Sequence, residues 1–115
     1  MEILDKKRKL SFYRDTEDKQ FFDMLKGVAD VEKRIIAVDS PMHCDCEKLL
    51  LDNGSSQESL IGFNIYFDGE IELDSNINPP VNRRLGYPRA GRLITDPDTV
   101  NQVTEIVKEW IEIDV

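Results

Sequence analysis

A chain of 115 residues, 40% of them hydrophobic, is long enough for one two-layer core and too apolar for wholesale disorder. Its formal charge of −8 argues against the broad basic footprint of a general nucleic-acid binder. No apolar run reaches the ~18 residues of a membrane span, and the N-terminus has no signal-peptide-like stretch, so a cytoplasmic protein is expected.

The charge is uneven. Residues 1–14 carry a net +3, residues 75–95 a net +4, and the remainder a net −15. The first 14 residues, with the run Lys6-Lys7-Arg8-Lys9, read as a flexible basic segment. Residues 15–115 read as a single α+β domain. Thr16 as N-cap, with Glu17 and Asp18 in the first turn, predicts a helix whose apolar stripe is Phe21, Phe22, Leu25 and Val28. Residues 32–39, β-branched at the centre, predict a strand, and Ser40-Pro41 turns the chain. Residues 43–52 (HCDCEKLLLD) suit either a helix or a strand. The turn chemistry of Asn53-Gly54-Ser55-Ser56, followed by the apolar run 60–67, favours a hairpin and hence a strand. In that strand Cys44 and Cys46 would stand roughly 6.5–7 Å apart on one face, too far for an unstrained disulfide. They are expected to be reduced and buried as small hydrophobes.

Residues 70–75 predict a fourth strand, and residues 76–95 a long Arg-rich connection. Asp96 as N-cap, Pro97 at the first helical position and Asp98 beside it predict the closing helix. Its apolar face is Val100, Val103, Val107, Trp110 and Ile111. The expected fold is α+β: a two-layer, four-stranded antiparallel meander with the N-terminal and C-terminal helices on one face, in the order α-β-β-β-β-α.

Alternation assigns the faces. Ile61, Phe63, Ile65 and Phe67 point to the core; Gly62, Asn64 and Tyr66 point away. A two-residue turn at Asp68-Gly69 would set Glu70 and Glu72 among the core residues, which is costly. A three-residue turn with Gly69 left-handed instead pairs Tyr66 with Glu70, Ile65 with Ile71 and Phe63 with Leu73, so a bulged hairpin is predicted. If Cys44, Cys46 and Leu50 face the core, then His43, Asp45 and Glu47 join Asn64, Tyr66, Glu70 and Glu72, with Asp74 at the end, on one polar face.

Four segments carry a family resemblance. They are Val31-Glu32-Lys33-Arg34-Ile35-Ile36-Ala37, Met42-His43-Cys44-Asp45-Cys46-Glu47, Asn53-Gly54-Ser55-Ser56-Gln57-Glu58-Ser59-Leu60 and Ile61-Gly62-Phe63-Asn64-Ile65-Tyr66. Together with Glu72, Ser75, Ile77-Asn78 and the Asp96-Pro97 helix start, they resemble a family of small prokaryotic proteins catalogued only as a domain of unknown function. The resemblance runs over residues 24–112, departs from the family pattern at residues 79–92, and implies no activity.

Two functions fit the polar face. Carboxylates facing one another across strands repel, so one reading is a binding or interaction module in which this face meets Arg83, Arg84, Arg89 and Arg92. These would come from the chain's own connection or from a second copy in a homodimer. The other is a metal-assisted enzyme acting on a small anionic substrate. In it His43, Asp45 and Glu47 ligate a divalent ion, Arg83 or Arg84 holds a phosphate or carboxylate, and Tyr66 or Asn64 orients it. Ligands in line on one strand point parallel rather than converging, which counts against the metal. No other cofactor, nucleic acid or membrane partner is expected. No nucleophile elbow or glycine-rich phosphate loop is present, and a solvated sheet face is the plain alternative.

Overall fold

The computed structural model describes residues 1–15, 24–74 and 94–114 of the chain. In chain order the elements are β1 (Glu2–Ile3), β2 (Arg8–Lys9), α1 (Leu10–Arg14), β3 (Met24–Asp30), β4 (Ile35–Val38), α2 (His43–Asp52), a single 3-10 turn (Gln57–Ser59), β5 (Leu60–Tyr66), β6 (Ile71–Asp74), α3 (Pro97–Trp110) and β7 (Ile111–Glu112). Five strands form one antiparallel sheet in the order β1-β4-β3-β5-β6, and β2 and β7 form a short parallel pair.

The β5–β6 hairpin has the predicted register: Ile65 lies opposite Ile71, Phe63 opposite Leu73 and Asn64 opposite Glu72. Gly69 takes a φ of 102°, and the Tyr66 N–H donates to Glu70 O at 2.8 Å. An L side chain is strained at that φ, so the bulge needs glycine here. The closing helix also starts as predicted, with the Asp96 carboxylate accepting from the Thr99 N–H at 3.0 Å and from its hydroxyl at 2.7 Å.

Four expectations are corrected. Residues 43–52 form α2, not a strand. Asn53-Gly54 is the helix stop rather than a hairpin turn: Gly54 takes a φ of 96°, its N–H donates to Leu51 O at 3.1 Å, and the Ser55 N–H donates to Leu50 O at 3.0 Å. These are the paired bonds of a Schellman cap, which asks for the same left-handed glycine that a tight hairpin does.

Leu25 and Val28 belong to β3, not to a helical stripe; the predicted helix start at Thr16 and Phe21 and Phe22 lie outside the described residues. β3 pairs with β4 on one side and β5 on the other, and its two faces are both covered. Leu25 and Ala29 join the core under α3, with Phe63, Val103, Ile106 and Val107, while Val28 joins Ala37, Cys46, Leu50 and Leu60 under α2. A strand buried on both sides loses the polar–apolar alternation that would identify it.

The helices therefore lie on opposite faces. The predicted two-layer meander becomes three layers, because α2 replaces the expected strand at 43–52 and carries the chain across one face from β4 to β5, which run in the same direction with β3 between them. Residues 1–14 also differ from the expected solvated tail. Leu4, Leu10 and Tyr13 are buried, the Leu4 N–H donates to Ile36 O at 3.0 Å, and Arg8 and Lys9 pair with Ile111 and Glu112. The cations stay outside while the apolar residues around them reach the core. Among the described residues no helix is long and apolar enough to cross a membrane.

Candidate functional site

α2 covers only part of its sheet face. Its apolar stripe, Cys46 and Leu50, packs over Val28, Ala37 and Leu60. Its first residue, His43, reaches the polar row beyond them. Asn64 on β5 lies opposite Lys26 on one side and Glu72 on the other, so three polar residues stand abreast on neighbouring strands.

The hydrogen bonds fix this row atom by atom. The Asn64 Nδ2 donates to Glu72 Oε1 at 3.0 Å, which leaves its Oδ1 facing His43 Nε2 at 2.8 Å. That nitrogen also lies 3.0 Å from Phe63 O. Two acceptors around one ring nitrogen require it to carry the proton, so Nε2–H is the donor. Nδ1 then faces Asp74 Oδ2 at 3.9 Å. The Tyr66 hydroxyl lies 3.4 Å from both Glu72 oxygens. Asn64 is 3% exposed, whereas Tyr66 and Glu72 are half-buried.

Of the residues singled out from the sequence, His43, Asn64, Tyr66 and Glu72 meet, and Asp74 joins them. Asp45 and Glu47 do not. On a helix Asp45 is rotated by about 200° from His43 and accepts from the Ser40 hydroxyl at 2.9 Å, while Glu47, one turn further along, accepts from Gln57 Nε2 at 3.3 Å. The His43–Asp45–Glu47 metal trio is thereby removed. Among the described residues no group of three or more His, Cys, Asp or Glu side chains is arranged to hold a metal ion. Glu70 is exposed at the hairpin end, and Arg83, Arg84, Arg89 and Arg92 lie outside the described residues.

The two cysteines separate on α2: both are free, Cys46 buried as expected, Cys44 exposed. Burial pushes the Cys46 thiol up to about 12. Sequence reasoning missed Lys26, which a helical reading of β3 hides, and Asp30. The Asp30 side chain accepts from the N–H groups of Glu32 and Lys33 at 3.0 Å each and from the Ser55 hydroxyl at 2.6 Å. An acid followed by a charged four-residue turn was the available signal.

Alongside the sheet, a cavity of about 200 Å³ runs along β6, walled by Glu70, Glu72, Ile94 and Thr95. The chain is thus an α+β protein with a sheet covered on both faces and an acidic, partly open hairpin at one end. It belongs to the family described as a protein of unknown function, DUF5674, whose family model matches residues 3–110. No curated protein and no solved structure is significantly similar to it.

Proposed function

We propose that the chain is a binding module whose contact surface is the acidic hairpin end around Glu70 and Glu72, and that this surface takes a guanidinium group. The observation that carries the reading is the state of Glu72. Its carboxylate is oriented by two neutral donors, Asn64 and Tyr66, and the residue is half-buried rather than sealed. Neutral donors position a carboxylate without cancelling its charge, so Glu72 is left ready for a cation. Glu70, exposed two residues away, adds a second negative charge beside the cavity along β6. A planar guanidinium meets carboxylate oxygens with two parallel N–H bonds, which a lysine ammonium cannot do. Arg83, Arg84, Arg89 and Arg92 supply that chemistry from the segment joining Asp74 to Ile94, within one chain or between two copies.

The test uses the full chain. Arginine amide, followed by NMR, is expected to shift Tyr66, Glu70 and Glu72, and the Glu70→Gln/Glu72→Gln variant to lose the response. Replacing the four arginines with glutamine should strengthen arginine-amide binding by removing a competitor. Sedimentation at low and high salt separates the two sources: a salt-sensitive dimer means a second copy, a monomer throughout means the same chain. An unchanged titration in the Glu70→Gln/Glu72→Gln variant would sink the proposal.

A further inference from the structure

A second charged feature lies away from the sheet. Lys7, Arg8, Lys9, Ser11, Phe12 and Asp15 line a shallow, open groove of about 460 Å³. Phe12 is 52% exposed, so part of its ring is open to a ligand. Arg8 is held over it, its guanidinium carbon 4.9 Å from the ring centre and its Nε 3.4 Å from Glu2 Oε1. The same Glu2 oxygen accepts from the buried Tyr13 hydroxyl at 3.0 Å, and the Tyr13 ring meets Phe12 edge-on at 5.2 Å. Cation and ring are therefore fixed in advance. Lys7 and Lys9 are exposed, and neither forms an ion pair among the described residues. Asp15, the acid in the lining among the described residues, is opposed by Arg14 at 3.1 Å.

We infer that this groove binds a small phosphorylated ligand carrying a flat ring, of the mononucleotide type, with the phosphate on Lys7 and Lys9 and the ring against Phe12. Size follows from the charge distribution. Residues 1–14 carry a net +3 in a chain of −8, and screening at physiological salt confines each charge to ~8 Å. A single phosphate meets only the local cations, whereas a longer strand runs out over acidic surface. None of these residues belongs to the acidic hairpin, so the inference stands apart from the guanidinium reading.

The experiment is an NMR titration of the full chain with AMP, with inorganic phosphate and with adenosine. Millimolar AMP is expected to shift the amides of residues 7–12. The Lys7→Gln/Lys9→Gln variant, altered only at exposed side chains, should bind at least tenfold more weakly with an unchanged thermal midpoint. Phe12→Ala should weaken AMP and leave phosphate as it was. Absence of shifts with AMP, or equal binding by the double variant, overturns the inference. An oligonucleotide that binds more tightly than AMP overturns it in favour of nucleic acid.

Discussion

Asn64 holds the polar cluster together because each of its two amide atoms is committed: Nδ2 to Glu72 and Oδ1 to His43. At 3% exposure it has little access to water that could replace either bond. Asn64→Ala is therefore expected to cost about 1–3 kcal/mol, the range for leaving buried partners unsatisfied. Urea unfolding is the check, and a change below 0.5 kcal/mol would mean that water fills the gap. The thiols give a second residue-scale expectation. Cys44 is exposed, whereas Cys46 is buried with its thiol pushed up to about 12. A thiol-specific reagent at neutral pH should therefore modify one cysteine per native chain and both only after unfolding. Two fast thiols in the native protein would contradict the packing of α2.

The stop signal of α2 shows why this element was hard to read. Asn53-Gly54 supplies a left-handed residue, and both a hairpin and a Schellman cap require one. The difference lies upstream, in the spacing of His43, Cys46 and Leu50. That spacing fits one helical face, but in only ten residues the pair Cys46 and Leu50, four apart, also shares a face in a strand, with His43 on the other. The β5–β6 hairpin was legible because only one register kept its carboxylates out of the core. β3 was not, because helices on both sides remove its alternation. The polar row divided accordingly: the register that sets Asn64 opposite Glu72 was legible, but the face expected to lie away from the helices is partly covered by α2, and Asp45 and Glu47 left the row with the strand reading of 43–47. At the start of α3, Thr99 hydrogen bonds, first from the hydroxyl and then from the N–H, hold the Asp96 carboxyl below the usual carboxylate range. A carboxyl with a depressed folded value stabilises the fold above its unfolded value, near 3.9, and loses that contribution as pH falls through the lower one. Asp96→Asn should therefore unfold with a flatter acid limb below about pH 4 than the parent chain. Equal slopes would show that the cap does not couple to folding.

For the molecule as a whole, the N-terminal residues decide how far the fold extends. Their charge suggests a tail, and the Lys6–Lys9 cations conceal how closely Leu4 and Leu10 bracket that run. In the structure β1 extends the sheet beyond β4, while β2 pairs with β7 after α3. Ser11 donates its N–H to Asp114 Oδ1 at 2.9 Å and its hydroxyl to Oδ2, which ties the two ends of the described chain together. Leu10, 1% exposed, shares the core of Leu25, Phe63 and Val107. Leu10→Ala should then cost about 2–5 kcal/mol, as for other large-to-small core replacements. Lys6→Ala, at an exposed neighbour, should stay within about 0.5 kcal/mol. The pair forms an internal control, since a loose tail predicts equal, small effects at both positions. A large loss at Leu10 alone means that the first 14 residues fold with the rest, so the Lys7–Phe12 groove is part of a cooperative surface. Native-state hydrogen exchange gives the same discrimination without mutation: the Leu4 amide, bonded to Ile36, should be protected to an extent comparable with β4 rather than exchange at the rate of an open chain.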